Sequence, residues 1–147
     1  MFKHILIPTD GSPVAMKAVK AGIGIAKQLG ARVTGYCAIE QIRPRVYGEG
    51  YMIDRKMVQA FERRATASAQ KYVDAIGKVA NAAGVEFESY VSKAETPYEG
   101  IIDAAKKRRC DAIFMASHGR RGLAGLLMGS VTHKVLTQTR IPVLVYR

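Results

Sequence analysis

Tryptophan is absent from this chain of 147 residues, and cysteine occurs only at Cys37 and Cys110. Two cysteines with no CxxC spacing and no histidine-rich surroundings argue against a disulfide framework or a thiolate metal site. Each sits in or beside an apolar run, where a cysteine acts as a small hydrophobe. Long apolar runs are also missing, and nothing approaches the roughly 18 residues of a membrane span. The start, Met-Phe-Lys-His-Ile-Leu-Ile-Pro, passes straight into a strand pattern without the organisation of a cleavable signal, so a cytoplasmic location is expected. Acidic residues are scarce, 12 against 23 basic ones, for a net charge of +11. The excess is spread along the chain, and the one tight cluster, Lys106-Lys107-Arg108-Arg109, falls where a helix should end and complements its dipole. This favours a general attraction for anions over a dedicated nucleic-acid face.

What is present is a globular composition, 48% hydrophobic, in a chain long enough for one core without staples. A single domain over residues 1–147 is expected. Five strand patterns alternate with four helical ones. Phe2–Pro8 is rich in Ile and Leu and reads as a strand. Ser12-Pro13 then offers an N-cap and a proline at the first helical position. Val14, Ala18, Ala21, Ile25 and Leu29 follow at helical spacing, with Gly30 as the stop. Arg32–Ile39 reads as the second strand, and Glu40–Asp54 as a long irregular loop of the kind used for lids or partner surfaces. A long helix is expected from about Arg55 to Ala83, closing at Gly84. Val85–Val91 alternates apolar and polar residues, as a strand near an edge does. Thr96-Pro97 should cap a helix to about Arg109, before a strand over Asp111–Ala116. Ser130–Thr139 is the last helix and Pro142–Tyr146 the last strand. Strands joined by helical crossovers make a mostly parallel α/β sheet with helices on both faces. In such sheets ligands bind beyond the carboxyl ends of the strands, where strand order reverses.

Two loops at carboxyl ends carry chemistry. Thr9-Asp10-Gly11-Ser12 follows the first strand, and a glycine-rich stretch holding Gly119, Gly122 and Gly125 runs from Met115 to Gly129-Ser130. Glycine removes the Cβ that would block close approach of a ligand. A helix N-terminus presents unpaired N–H groups in a field that favours anions. The stretch contains no GxxxxGK[ST], and no GxGxxG follows the first strand, so neither a P-loop nor a dinucleotide fingerprint is present. The remaining spacing is Gly119, nine residues, then Gly129-Ser130. The Ser130 hydroxyl and the N–H groups of Ser130 and Val131 are placed to hold a phosphate. Asp10 is suited either to a ribose hydroxyl or water-bound Mg²⁺, or to capping the helix that follows, a role Ser12 also fits. Arg120 and Arg121 read chiefly as solvated loop residues. His118 has no evident nucleophile and orienting carboxylate, while His4 and His133 suggest no metal set. The tyrosines at 47, 51 and 72 read as core or lid packing rather than a stacking platform.

Taken together, Ile5-Leu6-Ile7-Pro8-Thr9-Asp10-Gly11-Ser12, Thr96-Pro97 before Ile101, Met115-Ala-Ser-His-Gly119 with its nine-residue gap to Gly129-Ser130, and the closing Ile-Pro-Val-Leu-Val resemble the universal stress protein superfamily over essentially the full length. The resemblance implies an open five-stranded sheet of order 3-2-1-4-5, Rossmann-like and akin to the adenine nucleotide alpha hydrolases. It also implies a homodimer paired through the last strand, here residues 142–146. In one branch it implies ATP held without a robust catalytic cycle. That branch carries G-x2-G-x9-G-[ST], which falls on Ala116, Gly119, Gly129 and Ser130. By the same matching, Pro8, Thr9 and Asp10 border adenine and ribose, Ala38 lines the adenine pocket, Met115 offers main-chain contacts and Val131 completes the phosphate turn. Ala116 departs from the pattern. Its methyl is tolerable if the backbone is extended, and obstructive if φ is positive or the ligand packs against Cα.

The expected function is therefore that of a nucleotide-binding stress-response sensor or adaptor, with ATP or another adenine nucleotide as cofactor, with or without Mg²⁺, no catalytic residues and no side-chain metal site. A ligand-free dimeric module and a slow ATPase or phosphotransferase are the alternatives.

Overall fold

The computed structural model describes residues 1–41, 54–119 and 128–147. Five strands and four helices alternate: β1 (His4–Pro8), α1 (Pro13–Leu29), β2 (Arg32–Glu40), α2 (Arg55–Ala83), β3 (Phe87–Ala94), α3 (Pro97–Lys107), β4 (Ala112–Ala116), α4 (Ser130–Gln138) and β5 (Val143–Tyr146). The sheet order is β3-β2-β1-β4-β5, and all four pairings are parallel. The expected architecture is thus observed. Most of the loop over 40–54, including Tyr47 and Tyr51, lies outside the described residues, as do Arg120, Arg121, Gly122 and Gly125.

Each central strand is apolar on both sides, so successive residues feed different cores. Ile5 and Ile7 of β1, with Phe114 of β4, pack under α1 and α2 against Val19, Ile23 and Ile76. Leu6, between them in sequence, joins Tyr36, Ile113 and Met115 on the other face, beneath Ile101 and Ala105 of α3 and Val135 of α4. Each Ile or Leu so buried contributes roughly 1.5–3 kcal/mol. Period-two alternation between two covered faces therefore makes β1 and β4 the centre of the molecule.

Local chemistry sets the element ends. The Ser12 hydroxyl accepts the Ala15 N–H at 3.1 Å and starts α1, while Asp54 does the same for α2 through Lys56 N–H. At α3 the expected cap differs: the Thr96 hydroxyl makes no backbone cap bond and donates instead to Glu99 Oε2 at 2.7 Å. The third strand begins at Phe87 rather than Val85 and runs on to Ala94. Val85 belongs to the end of α2, its N–H donating to the Ala80 carbonyl and its side chain buried. The alternation that marked it apolar came from this helix-closing contact. Burial pushes the Cys110 thiol up to about 11, in keeping with its reading as a small hydrophobe.

A polar chain crosses the amino-terminal edge of the sheet. Thr34 donates its one hydroxyl proton to Glu88 Oε2 at 3.2 Å, so at 2.7 Å its oxygen must accept from His4 Nε2. Glu88 in turn pairs with Arg108 at 2.8 Å, whose guanidinium lies over the Tyr90 ring. This fixes the neutral His4 ring as the Nε2–H tautomer and leaves Nδ1, buried, without a partner among the described residues. Burial, followed by the Arg32 charge, lowers the His4 pKa from 6.5, while Glu88, Asp111 and Glu86 oppose the shift. Below about pH 6.5 the unfolded chain then binds a proton that the fold resists, so stability is full above that pH and falls as pH drops through it. Melting temperature measured from pH 8 to pH 5 is expected to decline below about 6.5. His4→Gln, which keeps a donor for Thr34, should flatten that part of the profile, and an unchanged profile would contradict the assignment.

Candidate nucleotide site

The order of the sheet reverses between β1 and β4, which pair directly as Ile5↔Ala112 and Leu6↔Ile113. The two chemically distinctive loops therefore leave adjacent strands at the same carboxyl edge, as the topology requires.

The first loop is built from short side-chain turns. Thr9 is buried; its N–H donates to the Tyr36 carbonyl at 2.8 Å, and its hydroxyl accepts the Gly11 N–H at 3.1 Å. Asp10 Oδ1 accepts the Ser12 N–H at 2.9 Å. The capping role open to both residues falls to Ser12 at α1, and Asp10 shapes the turn before it. Gly11 has φ of +78°, the left-handed region where a side chain is strained.

The second loop is tied down at both described ends. Ser117 donates its N–H to the Tyr146 carbonyl and accepts the Gly129 N–H, each at 2.7 Å. Its hydroxyl lies 3.0 Å from His118 Nδ1, so His118 has a neighbouring serine as partner. Thr132 in the first turn of α4 donates to the Ala116 carbonyl at 3.0 Å in a buried contact. This bond anchors the helix start to the end of β4, and nothing in the spacing of the motif announced it. Gly129 is the N-cap of α4, extended at φ −74° and ψ 155°, with no side-chain cap bond. The leading N–H groups of that helix are thus not claimed by a capping side chain, an arrangement suited to an anion.

Glycine at 119 and 129 has a steric cause. A Cβ on Gly119 would stand 2.5 Å from Asp10 Oδ2, and one on Gly129 would stand 3.1 Å from His118 Cα and 3.3 Å from the Ser117 carbonyl oxygen. The two loops therefore touch, with the Asp10 carboxylate seated against Gly119. Ala116 lies in an extended strand, and its methyl is buried among the residues packed beneath α1 and α2. Positive φ, one of the two obstructive cases, does not occur there. Met115 is buried on the opposite face, with half-buried Ala38 and Val131 packed against the same cluster. Pro8 is half-buried and Ser130 exposed. With Thr9 and Asp10, the ten candidate residues come from β1, β2 and β4 toward their carboxyl ends, the loops that follow β1 and β4, and the start of α4. A groove of about 640 Å³ elsewhere, along β3 and α3, is lined by Tyr90, Ser92, Glu95, Glu99, Asp103 and Lys106 among others, and includes none of them. Among the described residues no cluster of three His, Cys, Asp or Glu side chains could hold a metal ion, and no helix is long and apolar enough to cross a membrane.

The model of the universal stress protein family matches residues 1–147. The chain belongs to that family. A universal stress protein of Methanocaldococcus jannaschii is 30% identical, the match covering 100% of this chain and 83% of that protein. A second from the same archaeon, MJ0577, has a solved structure with 29% identity, coverage of 99% and 95%, and a TM-score of 0.78. More distant universal stress proteins share the fold: one solved in complex with cAMP, at 19% identity, coverage of 99% and 97% and a TM-score of 0.72, and one from Arabidopsis thaliana with AMP bound, at 13% identity, coverage of 97% and 90% and a TM-score of 0.67.

The Thr132 anchor gives a direct test of how the α4 start is held. Thr132→Val, which keeps shape and removes the hydroxyl donor, is expected to cost about 1–3 kcal/mol by leaving the Ala116 carbonyl unsatisfied. Thr132→Ser should recover most of the loss. An unchanged urea midpoint for the valine variant would show that the bond does not hold the helix.

Proposed function

We propose that this universal stress protein binds an adenine nucleotide, ATP by the resemblance of its motif, in the crevice between the Thr9–Ser12 turn and the start of α4. The observation that carries this reading is the seating of Asp10 against Gly119 beside a helix N-terminus left without a side-chain cap. Pro8, Thr9 and Asp10 would border adenine and ribose, with Ala38 lining the base and Met115 offering its main chain. Gly119 and Gly129 keep the backbone free of Cβ atoms, and the N–H groups of Ser130 and Val131 would receive phosphate oxygens. Where Mg²⁺ accompanies the nucleotide, its charge would be met by Asp10 through water. The extended backbone and core-buried methyl of Ala116 are compatible with this assignment. The AMP and cAMP complexes of distant relatives support adenine as the base.

The ligand is read as being held rather than turned over, so the protein acts as a cytoplasmic sensor or adaptor. The homodimer belongs to the same reading. β5 is an edge strand whose Val145 and Tyr146 are exposed, and apolar edges invite pairing. Light scattering at micromolar concentration is expected to report a dimer that Val145→Lys dissociates; a monomeric unmodified chain would reject the interface.

Titration calorimetry with ATP, ADP and AMP, with and without Mg²⁺, tests the site. Binding is expected, and Gly129→Asp should weaken it at least about tenfold by placing a like charge and a side chain at the phosphate position. No heat at millimolar nucleotide would overturn the proposal, as would indifference to Gly129→Asp. Phosphate release abolished by Asp10→Ala would favour the enzymatic alternative.

A further inference from the structure

Asp10 can serve the site only if its turn is held, and one contact to that turn comes from far along the chain. Gly11, next to Asp10, lies against the ring of Tyr72 in α2, and a Cβ built on Gly11 would fall nearly equidistant from three adjacent ring carbons. That places the Gly11 Cα hydrogen against the face of the ring rather than its rim. Tyr72 is itself well based. It packs on Cys37, Ile39, Ala69 and Val73, which tie α2 to β2, and the ring is half-buried.

We propose that Tyr72 is a positioning residue of the nucleotide site, its ring clamping Gly11 so that the Asp10 carboxylate is presented at Gly119. This rests on the nucleotide reading above and adds to it the element that sets the geometry. Gly11 in the left-handed region can reach more of φ/ψ space than any other residue type, so the turn needs an external restraint. Two restraints are local, the Gly11 N–H to Thr9 and the Ser12 N–H to Asp10 Oδ1. The Thr9 N–H bond to the Tyr36 carbonyl holds the start of the turn from β2, and the ring adds a restraint at Gly11 itself, from α2. If Gly11 swung away, the Asp10–Gly11 peptide plane would rotate and carry Asp10 Oδ2 off Gly119.

The clamp and its consequence are separately measurable. In the unmodified chain one Gly11 Hα proton is expected well upfield of its ordinary position from the ring current, and an ordinary shift would overturn the clamp whatever the protein binds. Calorimetry with AMP then tests the consequence. Tyr72→Leu is expected to weaken binding about tenfold, whereas Tyr72→Phe, which keeps the ring, should bind as the unmodified chain does. A role through Asp10 also predicts that Tyr72→Leu costs little further affinity in an Asp10→Asn background, because contacting residues of one unit are not additive. A merely structural tyrosine would lower the melting temperature while leaving AMP affinity intact or reducing it equally in both backgrounds, and either result would overturn the role. Loss of affinity in Tyr72→Phe would overturn it as well. No binding of ATP, ADP or AMP by the unmodified chain would bring down the nucleotide reading and this role together; where ATP binds and AMP does not, the same variants are read with ATP, and normal binding indifferent to Tyr72 would bring down this role alone.

Discussion

Everything distinctive about this molecule depends on the parallel pairing of β1 with β4. Only because Ile5 lies beside Ala112 and Leu6 beside Ile113 do loops separated by about a hundred residues of sequence meet at one edge. The contact they make is small, a carboxylate oxygen against a glycine Cα, yet it requires no side chain at 119 and a particular turn at 9–12. The same pairing divides the core. Alternate residues of the two strands enter opposite clusters, so a slip of one residue would exchange the side chains of the two faces and mispack both at once. Sheet register and site geometry are therefore one constraint.

The two edges of the sheet have different characters. At the amino edge, His4, Thr34, Glu88 and Arg108 form a chain of bonds leading from a buried ring to an ion pair near the surface. Asp111 adds to it by accepting the N–H groups of Lys3 and His4. At the carboxyl edge the loops spend many of their groups on their own turns, while the start of α4 is anchored from below through Thr132. A fold fastened at one end and presenting backbone donors at the other suits the holding of an anion without rearrangement of the core. The net charge of +11 adds a favourable field for such a ligand without defining its position.

Much of this was legible in the sequence because it rests on local chemistry. Ser12-Pro13, Gly30 and Gly84 announce helix ends by capping physics, and each serves there. Apolar alternation with helical crossovers implies a parallel sheet; strand order came from the family resemblance. The parts that escaped are tertiary. Val85 looked like strand because a buried residue after a helix has the same apolar signature as one in a sheet. Thr96 has the chemistry of a cap, yet its hydroxyl found Glu99 instead. Tyr72 read as packing and does pack, but its partner, Gly11, lies in another element, and no spacing rule connects positions 11 and 72. Thr132 is likewise explained only by the carbonyl beneath it. Gly119 was expected to make room for a ligand; the group it admits in the fold is Asp10.

The central claim is that the crevice between β1 and β4 is the nucleotide site. Titrating isotopically labelled protein with AMP and following backbone amide shifts tests it most directly. The largest changes are expected on Thr9, Asp10 and Gly11, on Gly119, and on Gly129, Ser130 and Val131, with the amino edge around His4 and Thr34 undisturbed. Changes concentrated along β3 and α3 instead, or none at saturating AMP and ATP alike, would contradict it.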